Sequence, residues 1–267
     1  MFKTRLISGI VLVAAALVLI VTGGEVLLAA SCVISLTGMY ELYRVYQIER
    51  TPAAGIGYLA AVIYYADLYF AWIPDRMIYI IGVLILLLAV YVLSYPKYHA
   101  SEIMAVFFGI FYVAAMLSCI YQTRVMQNGA YIVWLIFLCS WGCDTCAYCV
   151  GVKFGKHKMS PVLSPKKSVE GAAGGLAGTF LLTVLYAFVF QEQMGITTVQ
   201  IFLLAAISTI GGVISMIGDL AASAIKRNYE IKDYGTLIPG HGGILDRFDS
   251  VIFTAPVIYY LAAYLVS

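Results

Sequence analysis

The sequence contains few charged residues. Only 11% of its 267 residues are Asp, Glu, Lys or Arg, whereas 63% are hydrophobic and the mean hydropathy is +0.94. Soluble globular domains carry about 25% charged residues, so this composition excludes that class. The chain also lacks a polar stretch long enough for a soluble domain. We therefore expect a single membrane domain covering residues 1–267.

Apolar runs of about 20 residues, which is the length that crosses the hydrocarbon core of a bilayer, follow one another along the chain. Nine are found, centred near residues 13, 35, 65, 86, 112, 140, 181, 211 and 258. The first run follows Lys3 and Arg5 but lacks the small-residue cleavage site of a signal peptide, so we interpret it as a retained helix. The sequence predicts an all-α, polytopic integral membrane protein with about nine transmembrane helices.

The sixteen Lys and Arg residues are unequally divided between the two sides of this predicted bundle. Basic residues near span ends are retained on the cytoplasmic side. With a cytoplasmic N-terminus and an external C-terminus, only Arg76 and Arg124 fall outside. Two basic loops, at about residues 153–170 and 223–248, then face the cytoplasm. Topology and attraction to anionic lipids would explain their charge, but not their Gly, Pro, Ser, His and acidic residues.

Ionisable residues within the spans are rare in the first half of the chain. Glu41 and Asp67 are the exceptions, and neither belongs to a polar cluster in the sequence. We interpret residues 1–130 mainly as scaffold helices. Residues 131–267 are expected to supply the catalytic helices and both basic loops.

The segment Cys143-Asp-Thr-Cys-Ala-Tyr-Cys149 raises the alternative of a sulfur-ligated metal. On a helix these cysteines form one stripe with Cys139, whereas Asp144 falls on nearly the opposite side. An iron–sulfur run would lie in a loop with a nearby proline and a further ligand, while Cys packs well between helices. All six cysteines lie in apolar spans, so a disulfide framework is not expected. Asp144 is expected to face a partner or a wet cavity, because a carboxylate within a span is costly.

The first basic loop has residue types that suit phosphate. Two Ser-Pro steps break the helix, and Ser164, Lys166 and Lys167 precede a helix start at Ser168. Lysines, hydroxyls and the amides of a helix start bind phosphate oxygens. The Gly-x4-Gly-Lys-Ser/Thr order of a Walker A loop is absent from the sequence.

Acids near the second basic loop complete the pattern. Asp219, Ser223 and Lys226 share one helix face, and Asp246 and Asp249 stand at the start of the last span. Capping by the helix dipole accounts for one of these aspartates at best. Carboxylates that converge beside cationic loops predict a magnesium site and phosphoryl or nucleotidyl transfer.

These segments resemble the signature of the phosphatidate cytidylyltransferases, also called CDP-diacylglycerol synthases. The resemblance is carried by Ser223-Ala-Ile-Lys226-Arg227, Lys232-Asp233 and Pro239-Gly-His241-Gly-Gly-Ile-Leu-Asp246-Arg247-Phe-Asp249. Asp144-x-x-Ala147-Tyr148 and Ser-Pro-Lys-Lys-Ser-Val-Glu-Gly are similar to further family motifs. The resemblance covers residues 140–250 closely and the N-terminal half only by hydropathy. Cys143 and Cys146 stand where family members often have serine or small residues.

The resemblance implies Mg²⁺-dependent transfer from CTP to phosphatidic acid at the cytoplasmic face of the cell membrane, with one or two metal ions. The residues that it assigns to the metal are Asp144, Asp219 and Asp246. The catalytic residues that it implies are Lys226, Arg227, Lys232, His241, Arg247 and Asp249. The substrate-binding residues are Ser164, Lys166, Lys167, Ser223, Gly242 and Gly243. Which basic loop holds CTP and which holds the lipid phosphate stays open.

The expected partners are CTP, phosphatidic acid and the lipid bilayer, with a homodimer by analogy with the family and no nucleic acid. A CTP-dependent polyprenol or dolichol kinase is an alternative, and it would release CDP rather than pyrophosphate. An ion or metal transporter is an alternative of another class, although transporters are expected to show repeats and charges near the bilayer midplane. The Asp-Gly-x-x-Ala-Arg motif of CDP-alcohol phosphotransferases is absent from the sequence.

Overall fold

The computed structural model describes the backbone of residues 2–266 and the side chains of residues 7–264. Helices α1 to α5 are Phe2–Thr22, Gly24–Val45, Pro52–Phe70, Arg76–Leu93 and Ala100–Val125, the last with a π-helical turn at Ile110–Ala115. Helix α6, Gly129–Phe154, has a π-helical turn at Leu138–Gly142. Strands β1, Lys158–Ser160, and β2, Ser164–Ser168, form a hairpin. Helices α7 to α10 are Val169–Val189, Gln191–Met194, Thr198–Asn228 and Leu245–Val266.

Seven of these helices, α2 to α7 and α9, are long and apolar enough to cross a membrane. Over its described side chains, α1 contributes the shorter apolar helix Ile7–Thr22. The predicted all-α polytopic membrane class is confirmed. The count of nine spans and the orientation of the termini stay predictions, and the side chains of Lys3 and Arg5 lie outside the described residues.

Short polar side chains fix several helix ends, as their sequence positions suggest. The Thr51 hydroxyl accepts a hydrogen bond from the Ala54 amide at 3.2 Å, and Pro52 occupies the first helical position of α3. The Ser168 hydroxyl accepts the Gly171 amide at 3.1 Å. This confirms the predicted helix start at Ser168.

Helices α6, α7 and α9 pack closely because cysteines meet glycines between them. A Cβ atom added at Gly178 of α7 would lie 2.5 Å from the Cys146 Sγ, and one at Gly211 of α9 would lie 3.1 Å from the Cys139 Sγ. All six cysteines are free, and Cys139 and Cys143 are buried. The thiols therefore fill space between helices, as small weakly polar groups can.

Both basic loops lie at one end of the bundle. Contacts across this end join α2 to α10, β2 to α9, and α9 to α10. The first basic loop contains regular structure, because Lys158 pairs with Ser168 and Ser160 pairs with Ser164 across the hairpin. Pro165 is tolerated there since a two-stranded hairpin consists of edge strands only. The sequence did not predict this hairpin.

Candidate active site

A cavity of about 460 Å³ opens between α6, α7, α9 and the hairpin. Ala147, Val152 and Met216 belong to its apolar wall. Its charged lining consists of Asp144, Asp219, Lys158, Lys166 and Lys167. A cavity with an apolar wall and a charged end suits a ligand that has both an apolar part and an anionic part.

An ion pair between Lys167 and Asp219 joins the hairpin to helix α9 across this cavity. Both side chains are about one-quarter exposed, at 24% and 25%. The ammonium neutralises a carboxylate that would otherwise stand uncompensated near the membrane interior. The Lys167 side chain also lines the cavity, and its Nζ atom is buried against Asp219.

Three aspartates from three helices lie close enough to interact electrostatically. Asp144 of α6 and Asp249 of α10 each interact with Asp219 of α9, and the Ser250 hydroxyl lies next to the Asp144 carboxylate. Among the described side chains, no group of three or more His, Cys, Asp or Glu residues is arranged to hold a metal ion. The carboxylates therefore converge without forming a complete ligand cage.

Asp246 organises the second basic loop. Its Oδ1 accepts a hydrogen bond from the Lys226 Nζ at 2.8 Å, and its Oδ2 accepts the amides of Tyr234 at 2.7 Å and Gly243 at 2.9 Å. A Cβ atom at Gly242, where φ is 92°, would lie 2.7 Å from the same Oδ2. Both oxygens of this buried carboxylate thus hold protein groups, and its metal role stays a prediction.

Tyr234, within the same loop, contacts helix α9. Its hydroxyl donates to the Ala222 carbonyl at 3.0 Å, and the Lys226 ammonium lies 5.2 Å from the centre of its ring. Burial raises the pKa of Tyr234, which keeps the hydroxyl protonated and able to donate. The hydroxyl and the ring of Tyr234 therefore anchor the loop to α9.

Arg247 lies next to the acidic cluster formed by Asp144, Asp219 and Asp249. Its guanidinium has an incomplete set of hydrogen-bond partners among the described residues. Its Nε atom is buried and has no hydrogen-bond partner in the described part of the chain, while its carbonyl accepts the Trp141 indole at 3.1 Å. The guanidinium interacts electrostatically with Asp144. A buried arginine donor left unpaired in this way suits a phosphate oxygen.

The remaining predicted residues divide between the cavity and the loop. Lys166, Arg227 and Lys232 are exposed, Ser164 and Ser223 are half-buried, and Gly243 is buried. The His241 Nδ1 lies 2.9 Å from the Ser8 hydroxyl, which brings α1 against the second loop. The structure thus brings the two loops together but places only Asp144, Asp219, Lys166 and Lys167 of the predicted residues on the cavity.

Besides Ser8, three more residues of the predicted scaffold half reach this end of the bundle. The Glu41 carboxylate accepts backbone amides at the start of α10, Arg44 donates to the Tyr234 carbonyl, and the buried Tyr112 hydroxyl lies within electrostatic range of Asp219 and Asp249. In the sequence, the one available signal was the position of Glu41 and Arg44, which lie one turn apart at the end of the second apolar run. Tyr112 gave no signal, since its chain neighbours are apolar.

Comparison with known proteins places the chain among enzymes that use CTP. A family model described as "Cytidylyltransferase family" matches residues 3–265. A phosphatidate cytidylyltransferase of Staphylococcus saprophyticus is 32% identical over 97% of this chain and 98% of its own length. Proteins of the same name are 30% identical in Staphylococcus haemolyticus, over 97% of this chain and 98% of the relative, and 29% identical in Bacillus subtilis, over 98% and 97%.

The Lys226–Asp246 pair allows a prediction on stability. The Lys226 side chain is 13% exposed and that of Asp246 is 2% exposed, so Lys226→Met leaves a buried charge uncompensated. We expect the free energy of unfolding to fall by about 3–5 kcal/mol. Unfolding in mixed micelles, followed by tryptophan fluorescence, measures this change.

Arg227→Met is the matched control, because Arg227 is the next residue on the same helix and is exposed. It should change the free energy of unfolding by less than about 0.5 kcal/mol. Equal losses in the two variants would show that the ion pair does not anchor the loop.

Proposed function

Because the chain belongs to the cytidylyltransferase family, we propose that it transfers the cytidylyl group of CTP to phosphatidic acid, giving CDP-diacylglycerol and pyrophosphate. The observation that carries this proposal is the cavity beside α6, in which an apolar wall adjoins Lys166 and Lys167. Acyl chains would lie along the apolar wall, and the lipid phosphate would reach the lysines. The relatives' printed name, phosphatidate cytidylyltransferase, supports the same reaction.

The lipid supplies its own nucleophile in this reaction. A phosphate monoester is mostly deprotonated near pH 7, since its second pKa is about 6. One of its oxygens forms a bond to the α-phosphorus of CTP, and the bond from that phosphorus to the bridging oxygen of the leaving pyrophosphate breaks. The chain's task is to bring two anions together, for which cations are required rather than a serine or cysteine nucleophile.

We assign the predicted residues to this task by their position. Lys166 and Lys167 would bind the lipid phosphate in the cavity. The second loop would bind the phosphates of CTP through Lys226, Arg227, Lys232 and Arg247, with Ser223, Gly242, Gly243 and His241 shaping the loop. The buried, unpaired Nε of Arg247 supports this assignment, because a phosphate oxygen would complete its hydrogen bonds.

The residues at the site fit a magnesium ion. Mg²⁺ is usually held by one or two carboxylates together with substrate phosphates, so a complete protein cage is not required. Asp144 and Asp219 would hold it, with Asp246 and Asp249 nearby, and the bound ion would supply charge neutralisation for the phosphates. Lys167 and Lys226 neutralise Asp219 and Asp246 in the structure, and these lysines would be released toward the phosphates.

An assay of the two products tests the function. Purified protein with phosphatidic acid, Mg²⁺ and CTP labelled at the α-phosphate should give labelled CDP-diacylglycerol, with pyrophosphate in equal amount. Asp144→Ala should lose most of this activity, whereas Cys149→Ser, on the exposed side of the same helix, should keep it. Release of CDP with γ-phosphate on the lipid would indicate the kinase alternative. The absence of both CDP-diacylglycerol and pyrophosphate would contradict the proposal.

Metal binding can be tested without turnover. If Asp219 holds Mg²⁺, saturating Mg²⁺ should stabilise the wild-type protein, by about 2.7 kcal/mol at one hundred times the dissociation constant. Asp219→Asn should remove most of that stabilisation. Asp75→Asn is the matched control, since Asp75 is an exposed acid at the start of α4. The thermal midpoint in detergent measures the effect, and an equal Mg²⁺ response in both variants would contradict the assignment.

We also propose that both loops face the cytoplasm in the cell membrane, as the basic residues indicate. In a Cys149→Ser background, Val162→Cys at the 81% exposed hairpin tip should react with an impermeant maleimide only from the cytoplasmic side. Trp72→Cys, in the connection after α3 and 65% exposed, should react only from the outside. The opposite pattern would reverse the orientation. The homodimer stays a prediction, which a molar-mass measurement in detergent would test.

A further inference from the structure

Glu41 is a buried carboxylate that accepts two backbone hydrogen bonds at the start of another helix. It lies near the end of α2, in the half of the chain interpreted as scaffold, and is 4% exposed. Its Oε1 accepts the Ile244 amide at 3.0 Å, and its Oε2 accepts the Leu245 amide at 2.8 Å. The first amides of a helix have no partner within that helix. Glu41 therefore caps the start of α10 from a distant part of the chain.

Arg44 makes a second connection from the same helix. Its Nη2 donates to the Tyr234 carbonyl at 2.6 Å, one turn beyond Glu41. The loop between α9 and α10, residues 229–244, is therefore bound by α2 near its middle and at its end. Since α2 is a membrane-spanning helix fixed by its packing, it provides a rigid reference for this loop.

Two glycines of the loop are packed directly on the Glu41 side chain. A Cβ atom at Gly235 would overlap the Glu41 Oε1, and one at Gly243 would overlap both carboxylate oxygens. Gly243 is not among the residues with positive φ, so its backbone would accept an alanine. Space for Glu41, rather than backbone conformation, excludes a side chain at Gly243.

We propose that Glu41 is a positioning residue for cytidylyl transfer, which fixes the start of α10 so that Asp246 meets Lys226, and Arg247 and Asp249 lie beside Asp144 and Asp219. A short polar residue preceding the helix is the usual cap, but Ile244 precedes α10 and its side chain cannot accept a hydrogen bond. The negative charge of the Glu41 carboxylate also interacts favourably with the positive end of the α10 helix dipole. The inference rests on the proposed function, because it assigns Glu41 to that reaction.

The first test measures the loop itself, independently of activity. Glu41→Ala should release residues 229–244, so that trypsin cleaves after the exposed Lys232 at least about tenfold faster in detergent, because local opening governs cleavage. Glu25→Ala is the matched control, since Glu25 lies at the opposite end of α2 and binds Tyr69. Its cleavage rate should match that of the wild-type protein. Equal rates in all three proteins would overturn the inference.

The second test separates positioning from general damage. Misplacement of reacting groups by about 1 Å can lower a rate by about a hundredfold, so kcat for Glu41→Ala should fall at least about tenfold. The KM for phosphatidic acid should stay within about twofold, because Glu41 does not line the cavity. An unchanged kcat, or a KM that rises as much as kcat falls, would overturn the positioning role.

The third test uses the contact with Gly243 in a double-mutant cycle. Gly243→Ala alone should lower kcat at least about tenfold, because its Cβ displaces the Glu41 carboxylate. Glu41→Ala removes the three atoms nearest to that Cβ, so the double variant should be no slower than Glu41→Ala within about twofold. Losses that multiply would show that the two residues act independently and would overturn the inference.

Loop cleavage that responds as expected in a chain without cytidylyltransferase activity would contradict the proposed function instead.

Discussion

The ion pair between Lys226 and Asp246 is the interaction on which the polar end of this molecule depends. Asp246 lies at the start of the last helix, and the residue as a whole is 5% exposed. An unpaired carboxylate there would cost several kcal/mol. The lysine that compensates it comes from α9, and the two amides that complete it come from the loop between those helices. One carboxylate thus joins two helices and orders the loop that connects them.

A second pair, Lys167 with Asp219, repeats this arrangement between the hairpin and α9. In each pair the lysine stands where a divalent cation would also be attracted, and each lysine is of the kind that binds phosphate. The charges that the proposed substrates and metal ion would require are therefore paired with one another in the structure. Asp219 and Asp246 can therefore lie near the membrane interior with their charges compensated.

The sequence predicted the parts of this structure that depend on local composition. Apolar runs gave the membrane class, Ser168 gave the start of α7, and the thiols of Cys139 and Cys143 were correctly separated from the carboxylate of Asp144. The hairpin at Lys158–Ser168 was missed, because its pairing involves lysines, serines and prolines without the alternating apolar pattern of a strand. The partners of Asp246 were also beyond the sequence, since two of them are backbone amides that become neighbours only when the loop folds. Glu41 and Arg44 were left without a role because their partners lie about two hundred residues away along the chain.

The cap that Glu41 places on α10 has a consequence for biosynthesis. Helix α2 leaves the ribosome before residues 229–244 are made, so neither the amides that Glu41 accepts nor the glycines that pack on it exist when α2 is synthesised. Glu41 therefore gains these two donors only when the last helix arrives, and the start of the last helix is capped only by a residue of the N-terminal half. Residues 131–267 carry nearly all of the recognisable chemistry, but the cap on their last helix comes from outside that range. Completion of the chain, rather than insertion of its early helices, is the event that assembles the site.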